Sequence, residues 1–156
     1  METINLLHAK LHRVRITERR PDYVGSLGID SRWMKQVGIL PLQEIHCWNV
    51  TRGTRWITYA LAAKPGSKEI SPNGACALLC EDEDILIIGA FKQRNVAEVH
   101  SHGHRAKVLI FGANNEAAEY VEQDVTVHGD DFEFTSRSSL LTNALTDVPL
   151  AVGAVA

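Results

Sequence analysis

Few residues in this chain have the type and spacing to do chemistry. Gly25-Ser26 sets a serine hydroxyl beside a backbone carbonyl at a position where glycine tolerates strained dihedrals. Taken alone, that dipeptide is a plain turn. Lys10 and His12 lie two residues apart, on one face of any strand that carries them. Asn73-Gly74 is by itself another turn. His100, His102 and His104 alternate, so on a strand they would share one face and could offer imidazoles to zinc or nickel. Same-face neighbours on one strand converge poorly on a tetrahedral ion, and Glu98 is the only carboxylate close by in sequence. The segment is therefore read as an exposed polar loop, with no metal expected.

The elements that must position these residues are short. Lys10–Thr17 alternates basic and apolar residues, as a half-buried strand does. Arg19-Arg20-Pro21-Asp22 breaks it, and Tyr23–Ile29 is a strand loosened by Gly25 and Gly28. Asp30 or Ser31 can cap a helix running from Arg32 to Val37, with Gly38 at its end. Ile45–Val50 and Arg55–Ala63 form a hairpin across a Gly53 turn, Ala75–Cys80 a short helix, and Ile85–Phe91 a central strand. Glu81–Asp84 is expected to be a solvated acidic loop, and Val108–Phe111 a strand. Asn114–Ala156 has no dominant period and is expected to be partly irregular or to pack on a neighbouring subunit. This pattern predicts one mainly β domain over residues 1–156, a small barrel or sandwich with short helices.

Composition narrows the function classes. A chain of 156 residues, 45% hydrophobic and 22% charged, has room for one real core. A net charge of -3 provides no basic field for nucleic acid. No apolar run approaches membrane-spanning length and the N-terminus lacks a signal-peptide core, so a cytoplasmic protein is expected, with no membrane partner. Cys47, Cys76 and Cys80 form no CxxC pair and are expected as buried, reduced thiols.

Several segments together resemble the pyruvoyl-dependent aspartate decarboxylase family: Lys10-Leu11-His12-Arg13-Val14, Tyr23-Val24-Gly25-Ser26 before Ile29-Asp30, Trp48-Asn49-Val50-Thr51, Gly53-Thr54-Arg55, Thr58-Tyr59-Ala60, Gly66-Ser67 and Asn73-Gly74-Ala75. Order and spacing match over roughly the first 90 residues, and the match fades after Phe91. The resemblance implies a double-psi β-barrel, a homotetramer with active sites between subunits, and self-cleavage into Met1–Gly25 and Ser26–Ala156. It implies that Ser26 becomes a pyruvoyl group, which forms a Schiff base with the amine of L-aspartate and holds the electrons left by carbon dioxide. The product would be β-alanine, for pantothenate synthesis.

The same resemblance assigns roles. The Thr58 hydroxyl would serve both cleavage and the substrate site, and Tyr59 would be the proton donor. Being adjacent, Thr58 and Tyr59 point to opposite faces of a regular strand. Arg55 suits one substrate carboxylate bidentately and Lys10 the other as a point charge. His12 would support the carboxylate or the processing step, Trp48 would wall the pocket or sit in the core, and Asn73, Gly74 and Ala75 would orient substrate. Cys76 stands where the family commonly has alanine, a departure that bears on specificity and oxidant sensitivity. The readings left open are a decarboxylase of this fold acting on another amino acid, a barrel that never matures, and maturation with or without a helper protein.

Overall fold

Alternating side chains along the first fifteen residues build the strand on which the rest is laid. In the computed structural model, which describes residues 1–141 and the backbone of 151–155, β1 runs Thr3–Arg15, with Ala9, Leu11 and Val14 turned into the core. It pairs antiparallel with β6 (Ile85–Asn95) and parallel with β7 (His104–Phe111). β3 (Glu44–Asn49) and β4 (Arg55–Ala63) form the expected hairpin, and β3 also joins β6. β2 (Leu27–Asp30) lies parallel to β4 and antiparallel to β5 (Ile70–Pro72). The Thr17 N–H donates to the Ile70 carbonyl at 2.9 Å, bringing the chain just beyond β1 back against β5. Leu11, Leu27, Ile29, Ile45, Ile70, Leu86 and Ile88 fill the interior. The chain is mainly β, as its turn-rich pattern predicts.

Helix α1 (Ser31–Val37) begins and ends where its caps require. The Asp30 carboxylate accepts from the Arg32 N–H at 2.9 Å, and Gly38 ends the helix in the left-handed region at φ 87°. Trp33 packs edge-on against Phe111, 4.7 Å between ring centres, seating α1 on β7. The expected helix after Asn73 is a 3-10 helix, Gly74–Leu79.

Four expectations differ from the structure. Of the expected Tyr23–Ile29 strand only the part from Leu27 onward is extended, because residues 21–26 turn back tightly with Gly25 at positive φ. Asp84 is not solvated: it is 3% exposed, accepts from Asn49 Nδ2 at 2.8 Å and pairs with Arg52 Nε at 2.7 Å, which ties the acidic loop to the β3–β4 turn. The three histidines share no strand face. His100 and His102 end helix α2 (Val96–His102), capped by Asn95, whereas His104 is buried at the start of β7. Residues 117–140, expected to be irregular, form a long hairpin of β8 (Ala117–His128) and β9 (Asp131–Leu140), with β10 (Ala151–Val155) on its edge. What was expected of 142–150 and Ala156 lies outside the described residues. Among the described residues no helix is long and apolar enough to cross a membrane.

Candidate active site

The segment from Arg20 to Ser26 is held at both ends, with one turn bond inside it from the Tyr23 N–H to the Arg20 carbonyl at 3.1 Å. The Arg20 N–H donates to the Pro72 carbonyl and the Gly74 N–H to the Arg20 carbonyl, each at 3.0 Å. At the other end, the Asn73 N–H donates to the Ser26 carbonyl at 2.8 Å. Between these anchors Tyr23 and Val24 stand out into solvent, the Tyr23 ring 5.8 Å from the Arg20 guanidinium. Pinning 20 and 26 to one short stretch forces a tight loop, and Gly25 takes the strain at φ 116°, a region L side chains rarely adopt.

Neighbours crowd the Gly25-Ser26 bond. A Cβ on Gly25 would stand 3.3 Å from the Tyr59 hydroxyl oxygen and 3.4 Å from Leu61 Cδ1. Gly74, at φ 60°, is packed so closely that its own Cβ would lie 3.4 Å from the Tyr23 carbonyl oxygen and 3.7 Å from that of Gly25. Ser26 is 1% exposed, and its hydroxyl has no hydrogen-bond partner among the described residues; Asn73 Oδ1 is likewise buried and unpartnered. Leaving such groups unpaired costs about 1–3 kcal/mol each. A buried, unengaged hydroxyl beside a strained carbonyl is chemically available in a way that a bonded one is not.

The parallel pairing of Leu27 with Ala60 explains why Tyr59 is there, since it sets Ser26 beside Tyr59. Thr58 and Tyr59 do face opposite ways. Thr58 pairs with the core residue Ile45, Tyr59 with exposed Glu44 on the outer face. Thr58 makes no hydrogen bond to Gly25 or Ser26 here.

Of the candidate substrate contacts, Asn73 and Gly74 abut Gly25-Ser26, whereas Lys10, His12, Trp48 and Arg55 lie on the outer face that also bears Tyr59. His12, Ile87, Trp48 and Arg55 form one cross-strand row over β1, β6, β3 and β4, with Lys10 beside Gly89 in the next. Gly89 is required there, because a Cβ would come within 2.8 Å of the Trp48 ring. Trp48 is half-buried against His46 and Phe91, a wall on the outer face and not a core residue. Along β4, Arg55 is four residues from Tyr59 and on the same face, about 13 Å between Cα atoms at strand rise. The His12 ring is held below its usual pKa by burial and then by Lys10 and Arg13, and its Nδ1 is buried without a partner.

Sequence reasoning missed one wall of this region. Lys10 and His12 line a cavity of about 240 Å³ whose far side is Glu119, Gln123, Ser136 and Ser138 of the β8–β9 hairpin. The signal was there in the alternation of Val121, Val125 and Val127 with polar residues, diluted by acidic ones. The largest hollow, about 1030 Å³, opens between the start of β7 and the same hairpin and shares no lining residue with Gly25 or Ser26. Cys47 and Cys80 are buried free thiols, and Cys76 is half-buried.

Comparison with known proteins gives consistent relatives. A family profile described as aspartate decarboxylase matches residues 2–118. A protein named aspartate 1-decarboxylase from Microcystis aeruginosa (strain NIES-843 / IAM M-2473) is 48% identical over 139 residues, covering 88% of this chain and 99% of that protein. One of the same name from Gloeothece citriformis (strain PCC 7424) is 40% identical over 152 residues, 96% of this chain and 97% of that one. Another from Chromobacterium violaceum is 40% identical over 115 residues, 74% and 90% respectively.

Proposed function

The chain belongs to the aspartate decarboxylase family, and from that premise we propose that it cuts its own backbone between Gly25 and Ser26 and then decarboxylates L-aspartate to β-alanine and carbon dioxide, in the service of pantothenate synthesis. The observation that carries this reading is the unpartnered, buried Ser26 hydroxyl beside a glycine at φ 116°.

In its atoms the cleavage consumes only the chain and water, whether or not a helper protein assists it. Ser26 Oγ attacks the Gly25 carbonyl carbon and the peptide C–N bond breaks, moving the acyl group from nitrogen to oxygen. Loss of the Ser26 α-proton then expels the Gly25 carboxylate, and water replaces the resulting enamine nitrogen with oxygen, releasing ammonia. The close approach of Gly74 to the Gly25 carbonyl oxygen keeps side-chain bulk away from the oxygen on which charge develops, and a threonine hydroxyl at position 58 is suited to reach it.

The residues fit a pyruvoyl group at position 26, since the pocket already leaves a buried polar atom of Ser26 and one of Asn73 without partners. When present, that group supplies an electron sink for the pair left by departing carbon dioxide. Tyr59, its hydroxyl beside Gly25, returns a proton to the substrate α-carbon. Asn73, Gly74, Ala75 and Cys76 border the amino-acid end. Arg55 and Lys10 bind the two carboxylates, with His12 neutral beside Lys10 and Trp48 as a wall. The family resemblance places such sites between subunits, so the working enzyme is read as a homo-oligomer, which we take to be a tetramer, with these cations supplied by a second copy. The free thiols fit a cytoplasmic enzyme.

Intact mass is the test. The purified protein should resolve into Met1–Gly25 and Ser26–Ala156, the larger piece carrying a carbonyl that hydrazine traps. Ser26→Ala should stay whole and inactive. Tyr59→Phe should cleave normally but turn over on the order of 100-fold more slowly. A protein that remains whole after prolonged warming, with lysate added to supply any helper, would overturn the reading. Release of carbon dioxide from glutamate in preference to aspartate would move the substrate assignment and leave the cleavage intact.

A further inference from the structure

Six basic side chains meet around a small hollow at the far end of β1 from Asp84, and among the described residues no carboxylate lines it. They are His8, Lys92, Arg94, His104, Arg105 and Lys107, closed off by the end of α1, around about 170 Å³. Their convergence is built by backbone irregularity: a bulge between Leu7 and Ala9 leaves His8 out of the ladder to β6.

Hydrogen bonds fix the orientation of the two imidazoles. Nε2–H of His104 donates to the Leu7 carbonyl at 2.6 Å, so its Nδ1 is left to accept from Arg94 Nη1 at 3.5 Å. The Gln43 amide, whose oxygen is taken by the Leu40 N–H, donates to His8 Nε2 at 2.6 Å. The permanent positive charge around the hollow belongs to Lys92, Arg94, Arg105 and Lys107. Burial, with Lys92 and His104 nearby, pushes the His8 pKa down to about 4.

Of the four cations, one is answered. Arg105 pairs with Asp124 and Glu122 at 2.7 Å each. Glu122 faces Lys107 across the β7–β8 ladder, yet it is engaged by Arg105 and Arg137. Among the described residues Lys92, Arg94 and Lys107 have no ion-pair partner, and no carboxylate lines the concavity they share. Three unanswered cations around a concavity that holds roughly five or six water volumes form a focused positive field.

We propose that this hollow is a binding site for a phosphate-class oxyanion, gripped by Lys92, Arg94 and Lys107 and separate from the substrate site. Arg offers a planar fork and Lys a mobile point charge, and both match tetrahedral, multiply charged oxygens. Such an anion would neutralise the field where no side chain does. The phosphate can be free or carried on an organic molecule, and both satisfy the same contacts.

Isothermal titration of the mature full-length protein tests this, with inorganic phosphate in one arm, glycerol phosphate in the other, and ionic strength held constant with chloride. Saturable binding of one equivalent per chain is expected, and tighter binding of the ester would identify a carried phosphate. Lys92→Gln combined with Lys107→Gln should weaken affinity by about tenfold or more. Lys92 is exposed, so Lys92→Gln alone keeps the fold and must also weaken binding. Arg55→Gln should leave phosphate affinity unchanged. Absence of saturable binding, indifference to the lysine changes, or loss with Arg55→Gln would each overturn the proposal.

Discussion

Gly25 and Ser26 owe their chemistry to what surrounds them. The dipeptide alone is a turn. Anchors at Arg20 and at the Ser26 carbonyl bend it, and the Tyr59 hydroxyl closes over it. His8 carries a separate, measurable consequence. With its pKa lowered from 6.5 to about 4 in the folded chain, the unfolded state binds more protons between those values. Stability is therefore full above pH 6.5 and falls as pH drops towards 4, by about 3 kcal/mol from this group. Chemical denaturation across that range should reveal the slope, and His8→Gln should flatten it. An unchanged slope would mean that the ring takes up its proton in the fold as readily as in the unfolded chain.

At the scale of elements, Asp30 joins two structures. It caps α1 through the Arg32 N–H and accepts from Gly66 N–H at 3.0 Å and Lys68 N–H at 2.8 Å, so the turn before β5 hangs from the same carboxylate that starts the helix. Asp30→Ala leaves three donors without their acceptor and should cost about 2–4 kcal/mol, read as a lower melting temperature. A loss under 1 kcal/mol (about the worth of an ordinary cap) would show that the turn is held by other contacts. Capping residues and the Gly53 turn made α1 and the β3–β4 hairpin legible from sequence. The β8–β9 hairpin was not legible, because Glu119, Glu122 and Asp124 interrupt its alternation. Those acids are accommodated by Arg105, Arg137 and Ser138 from neighbouring strands. The histidine run misled for a related reason: Asn95 caps a helix through it, and periodicity over five residues is too short to tell strand from helix.

At the scale of the molecule, the proposed homo-oligomer puts to use an outer face bearing Lys10, His12, Trp48, Arg55 and half-exposed Tyr59. If Arg55 of one chain serves Ser26 of another, two inactive variants should rescue each other. Chains carrying Ser26→Ala and chains carrying Arg55→Ala, unfolded and reassembled together at equal amounts, should recover about a quarter of wild-type activity by random mixing. No recovery would mean that both residues act within one chain.

The family motifs, the caps and the alternating strands are local signals, and they were enough to determine a mainly β chain, the candidate bond at Gly25-Ser26 and the side chains suited to use it. Which of those side chains meet was decided by tertiary pairing. The β2–β4 register brings Tyr59 to Gly25, and sheet order lines up His12, Trp48 and Arg55 in one row with Lys10 in the next. Neither is encoded in local spacing, because a sheet joins residues through hydrogen bonds between strands far apart in sequence, and a shift of one residue would turn every side chain to the other face.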